Sequence, residues 1–168
     1  MEKPSRSSES NLESVRHLKE GEQLSIAGVE HTIEKVEDAA EVAAKFNLKL
    51  DRDIPIYYLK GMSASAQGGY HPKADIIVVF ENNTDPTTLE HELVHAVEYK
   101  FEPTPALLAL FEKAKEVIEE GDFENLVNFN FTRNIHEFIA EGKTKLAPIL
   151  KKKGLYEDFE RETAYIFD

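Results

Sequence analysis

At 168 residues and 41% hydrophobic content the chain is long enough to bury one hydrophobic core without disulfides, and it has no cysteine to form any. Its net charge of −12 argues against a nucleic-acid backbone as the main partner. The missing cysteines exclude thiolate metal sites, so any metal must sit on His, Asp or Glu. Met1 is followed by polar Glu2-Lys3-Pro4-Ser5-Arg6-Ser7-Ser8, without the apolar centre of a signal peptide, and no stretch approaches the length of a transmembrane helix. The expectation is a soluble, cytoplasmic protein with no membrane association.

Residues 1–12 are rich in Ser and Glu and read as a disordered tail, leaving 13–168 as a single domain. Residues 24–36 alternate around Gly28 and predict a small hairpin. Ala39, Ala40, Val42, Ala43, Ala44 and Phe46, with acids at the start, predict a helix over 37–47. Ile54–Leu59 reads as a strand, with Pro55 favouring an edge or a strand start. A Gly/Ser/Ala-rich loop covers 61–69. Asp75–Glu81 is a strongly β-branched strand, and Asn82-Asn83-Thr84-Asp85-Pro86 is turn chemistry. Helices then follow over about 86–101, 104–120, 132–153 and 155–165, with Gly121 and Gly154 as stops and Lys151-Lys152-Lys153 closing one helix end. Strands first and helices after describe an α+β fold: a small mixed sheet followed by two helices that carry the chemistry.

The first of those helices contains His91-Glu92-Leu93-Val94-His95, the HExxH pattern of zinc metallopeptidases. Positions four apart on a helix lie about 40° past one full turn, so both imidazoles project from one face. Both can reach one zinc ion at about 2.0–2.1 Å. Glu92, beside that face, can hold a water and take its proton without ligating the metal. Incidental surface histidines are the competing explanation, but Leu89, Leu93, Val94, Ala96 and Val97 make this a half-buried helix, where unliganded histidines would be costly. A catalytic zinc needs a third protein ligand and an open position. Asn134-Ile135-His136-Glu137-Phe138-Ile139-Ala140-Glu141 offers two carboxylates at helical spacing on one face. One can ligate zinc, and the other can accept a ring N–H from a zinc-bound histidine. The alternative is an ordinary solvated acidic face.

The pair of motifs resembles the gluzincin metallopeptidases, in which a glutamate helix supplies the third ligand. Thermolysin-like enzymes and a class of aminopeptidases share such a helix. Glu137-Phe138-Ile139-Ala140-Glu141 is most similar to the catalytic domain of lethal-factor-type toxins and the related Pro-Pro endopeptidases, which carry Glu-Phe-x-Ala-Glu at a comparable distance after HExxH. Here Glu137 lies 42 residues after His95. Gly68-Gly69-Tyr70, a short polar turn and a strand before the motif helix extend the similarity over about residues 54–145.

The resemblance implies a zincin-like fold, one Zn2+ held by His91, His95 and Glu137, Glu92 as general base, and Glu141 holding a ligand. It also implies an endopeptidase with its peptide substrate extended along an edge strand at 75–81. Where these families place a tyrosine that stabilises the oxyanion, this chain has Asn130, between Phe129 and Phe131. Asn130, Tyr70, His71 and His136 are the candidate donors or substrate contacts. The missing tyrosine also supports an alternative: a catalytically weak or inactive zinc-stabilised binding protein of the same fold. Cleavage preference and oligomeric state have no signature in the residues.

Overall fold

Ile76-Ile77-Val78-Val79-Phe80 has no polar residue, and such a run fits a strand covered on both faces rather than one with a wet side. In the computed structural model, which describes residues 15–26, 28–61, 69–81, 86–119, 122 and 130–168, this run is strand β5. Ile76, Ile77, Val78 and Phe80 are all buried.

The elements in chain order are β1 (Gln23–Ile26), β2 (Val29–Asp38), α1 (Ala39–Lys45), β3 (Pro55–Leu59), β4 (Gly69–His71), β5 (Ile76–Phe80), α2 (Pro86–Glu98), α3 (Pro105–Val117), a 3-10 turn (Asn130–Thr132), α4 (Ile135–Lys143), α5 (Ala147–Lys152) and α6 (Tyr156–Phe167). The expected α+β class is the one observed. No helix of the described residues is long and apolar enough to cross a membrane. The tail expected over residues 1–12 and most of the 61–69 loop lie outside the described residues. The chain divides into two compact units, Met1–Ala96 and Val97–Asp168.

In the first unit the sheet order is β1-β2-β3-β5-β4. β3 and β5 run parallel, and every other neighbouring pair is antiparallel, which makes the sheet mixed. The expected hairpin is β1–β2, turning at Gly28 with φ 83, a conformation open to glycine because it has no Cβ. Leu24, Ile33, Tyr57, Leu59, Ile76, Val78 and Phe80 of the strands form one hydrophobic cluster with Ala74 of the β4–β5 connection, and Val15 and Leu18 pack against it. Ile56 and Ile77, which alternate to the opposite face, are equally buried. Asp38 starts α1 by accepting the Ala40 N–H at 3.2 Å.

Two expectations are corrected here. The strand at 75–81 is not at the edge: β4 pairs with it from Gly69↔Val78 to His71↔Ile76, and β3 takes its other side. β4 is the outer strand. Its three residues, Gly-Tyr-His, are too few and too polar to display a strand period. The β4–β5 connection closes through residues 72–75, with Asp75 at φ 58 and its N–H donating to the His71 carbonyl at 2.7 Å. Asp is among the few residues that tolerate this left-handed region.

In the second unit the single helix expected over 132–153 is two, α4 and α5. Pro148 has no N–H to donate to Thr144, and in a continuous helix its ring would clash with the Thr144 carbonyl. The chain turns there instead: the Thr144 hydroxyl donates to the Ala140 carbonyl at 2.8 Å, and the Leu146 N–H reaches Glu141 O at 2.7 Å. Capping is as local chemistry requires. The Thr104 hydroxyl accepts the Leu107 N–H at 3.1 Å, and the Asn134 side chain accepts the Glu137 N–H at 2.9 Å. The basic run follows the expected pattern, with Lys151 and Lys152 in the last turn of α5 and Gly154 at φ 73 just beyond.

An aromatic cluster organises this unit. Phe138 packs against Phe111, Phe131 and Phe159 at centroid separations of 5.3, 6.1 and 5.5 Å. Because Phe138 is fully buried, the rotation of α4 about its axis is set, and with it the direction in which Glu137 projects. Gly142, one turn further along α4, lies under the Phe159 ring, so close that an added Cβ would stand 2.3 Å from Cζ. Helix propensity alone favours Gly142→Ala by roughly 1 kcal/mol, whereas overpacking costs about 1–3 kcal/mol. Gly142→Ala is expected to lower stability in urea unfolding, and a gain in midpoint would show that the ring yields freely.

Candidate metal centre

The helical spacing of His91 and His95 does what the geometry of α2 requires. Their Nε2 atoms lie 3.1 Å apart, with ring centroids at 4.7 Å and planes at 80°. Two nitrogens bound tetrahedrally to one zinc ion stand about 3.3 Å apart, so the pair is close to the separation that a shared ion demands. His95 is buried, at 8% exposure, and His91 is half-buried. Among the described residues, His91, His95 and Glu137 form a group that could hold a metal ion, with one ligating atom from each all within 4.8 Å of one another. Two neutral imidazoles and a carboxylate suit a divalent ion, and three protein ligands leave a coordination position over. Glu141 is half-buried one turn after Glu137 and is not a member of that group.

Glu92 does not join the group either. Its Oε1 accepts the backbone N–H of Tyr70 at 2.9 Å. One oxygen of the carboxylate is therefore held by the outer strand of the sheet. Nothing in the sequence signals this contact, because the donor is a main-chain group that every non-proline residue carries.

The four candidates for oxyanion or substrate contact have different surroundings. The Tyr70 hydroxyl donates to Asp75 Oδ1 at 2.6 Å and accepts from Arg52 Nη2 at 3.2 Å. Burial first, and then the Asp75 carboxylate, push its pKa up, so the hydroxyl keeps its proton across the usual pH range. His136 pairs through Nδ1 with Oε1 of the fully buried Glu98 at 2.7 Å, and its ring stacks on Tyr99 at 4.5 Å and 20°. This contact joins the last turn of α2 to the first turn of α4. His71 is half-buried, and its Nε2 is buried without a hydrogen-bond partner among the described residues. Asn130 opens the 3-10 turn that brings Phe131 into the core, and its side chain lies outside the description. Arg52, Asp75 and Glu98 were missed by sequence reasoning. Arg52 lies in a connecting segment with no periodicity, and Asp75 stands at the head of the β-branched run, where nothing local marks its distant partner. Glu98 follows His95 at helical spacing on the same face, a signal that was available.

No family model, curated protein or solved structure matches this chain.

Burial lowers the pKa of His71 below its ordinary value of 6.5. The unfolded chain therefore binds this proton more readily than the folded one, and stability falls as pH drops below 6.5 toward the lowered value. Urea midpoints of the wild type and His71→Phe between pH 8 and 5 check this. The wild type should lose more stability on acidification than the variant, and parallel losses would assign the acid sensitivity elsewhere.

Proposed function

We propose that the protein is a zinc-dependent endopeptidase of the gluzincin type, with His91, His95 and Glu137 as ligands and Glu92 as general base. The observation that carries this reading is the 3.1 Å convergence of the His91 and His95 Nε2 atoms, with a Glu137 oxygen in the same group and Glu92 outside it. The donor set fits zinc: nitrogen and oxygen ligands only, in a chain with no cysteine. When bound, zinc would polarise the scissile carbonyl and bring the pKa of a water molecule toward neutrality.

The residues supply the rest. His91 and His95 offer lone pairs from one helix face, so little rearrangement is needed on binding. The Tyr70 N–H steadies one oxygen of Glu92. The carboxylate takes a proton from the attacking water and passes it to the leaving amine nitrogen, completing hydrolysis of the peptide bond. A peptide lying extended beside the sheet would meet the outer side of β4, because both sides of β5 are taken. Glu141 would steady a ligand through a hydrogen bond.

Asn130, standing where the resembling families have a tyrosine, favours a second reading: a zinc-stabilised binding protein with weak or no turnover. Hydrolysis of a peptide library with and without chelator separates the two. Glu92→Gln is expected to retain one zinc per chain by elemental analysis while losing about 10²- to 10⁴-fold in kcat. Full activity in that variant would remove Glu92 from the chemistry. Glu137→Ala is expected to empty the site, whereas Glu141→Ala weakens zinc binding about 10- to 100-fold in chelator competition. The reverse order would exchange their roles.

A further inference from the structure

Arg52 belongs to no motif and to no metal group, yet its guanidinium joins three separate parts of the first unit. Nε donates to Asp75 Oδ2 at 2.8 Å and Nη2 to Asp75 Oδ1 at 2.9 Å, a bidentate pair. Nη2 also reaches the Ala96 carbonyl at 2.8 Å and the Tyr70 hydroxyl at 3.2 Å. The Tyr70 hydroxyl in turn donates to Asp75 at 2.6 Å. The pair is largely out of solvent, with side-chain exposures of 21% for Arg52 and 14% for Asp75. Arg16 stands 3.9 Å from the same carboxylate. Burial works against the Arg52 charge, and Asp75 and Tyr70 together more than offset it.

These contacts close a ring that begins and ends on α2. Ala96, the residue after His95, gives its carbonyl to Arg52. Arg52 grips Asp75, just before β5, and Tyr70 on β4. The Tyr70 N–H returns to α2 by donating to Glu92 Oε1 at 2.9 Å. We infer that Arg52 is a positioning residue, holding β4 against α2 so that Tyr70 fixes the Glu92 carboxylate beside the histidine face. Its catalytic consequence rests on the peptidase reading above, whereas the ring itself does not. Lysine cannot replace it. An ammonium offers a single charged centre, whereas the planar guanidinium makes a two-point carboxylate contact and still has a hydrogen for the carbonyl. The carbonyl it takes lies in the last turn of α2, where a cation is also favoured by the helix dipole.

The experiment uses the full chain with two readouts: amide hydrogen exchange at Tyr70, and zinc-dependent peptide hydrolysis. Arg52→Lys is expected to speed exchange of the Tyr70 amide about ten-fold, the size expected for loosening one charge-assisted hydrogen bond. Bulk amides of β2 and β3 should keep their protection and the zinc content should stay at one per chain. In turnover the same variant should lose about ten-fold in kcat with KM nearly unchanged, the split expected when a bound substrate meets a misplaced base. Tyr70→Phe keeps the Arg52–Asp75 pair and the Ala96 contact, so a smaller change in the same direction is expected. It decides the matter if Arg52→Lys does not fold. Unchanged Tyr70 exchange in the folded variants, or a loss of zinc that accounts for the loss of kcat, overturns the assignment. If the zinc-loaded wild type hydrolyses no peptide, the peptidase reading fails by itself, and the exchange data still decide whether Arg52 holds the ring.

Discussion

The Nε2 atoms of His91 and His95 stand 3.1 Å apart, and two imidazole lone pairs at that distance repel unless a proton or a cation lies between them. One shared proton satisfies the pair only by fixing complementary tautomers on two rings crossed at 80°. A divalent ion satisfies both without that demand and also takes in a carboxylate. The group with Glu137 thus has the composition that the repulsion calls for. The apolar surroundings sharpen this. Leu93, Val94 and Ala96, near neighbours of the pair in α2, are fully buried, and interactions of polar nitrogens count for more where water is scarce.

The neighbouring carboxylate is handled differently. Glu92 is no member of the metal group, and α2 places it about 100° of helical rotation from His91 and about 60° from His95. Rotation alone leaves the side chain several rotamers. The Tyr70 N–H narrows that choice, and the position of Tyr70 depends on where β4 lies against β5. An outer strand of three residues has few ladder bonds of its own, so polar side chains at its end matter more than they would inside a sheet. The ionic contacts of Asp75 with Arg52 serve this purpose without adding apolar surface to the edge. In the second unit the equivalent constraint is steric. Phe138, held among three other rings, sets the rotation of α4, and Glu98 with His136 ties its first turn to the end of α2.

Much of this is legible in the residues themselves. The strand of β-branched residues, the helix carrying HExxH, and the paired spacing of Glu137 and Glu141 all rest on interactions within a few residues of chain. Two of the misreadings have a common cause. β4 is invisible in the sequence because Gly69-Tyr70-His71 forms a strand only by pairing with β5. The place of β5 inside the sheet is hidden for the same reason. The break between α4 and α5 is different: Pro148 announces it locally, and the long amphipathic pattern on either side masks it.

The chain alone determined that two imidazoles would share a face, because a four-residue step on a helix is a property of backbone geometry, whatever surrounds it. It also determined that only nitrogen and oxygen ligands were on offer. Tertiary structure decided which distant groups complete the arrangement. Glu137 comes from 42 residues beyond His95, Arg52 from a connecting segment, and the contact to Glu92 from a main-chain N–H. Long-range packing brings such groups together, and a backbone donor is the same at every residue but proline, so its choice of partner leaves no mark on the sequence.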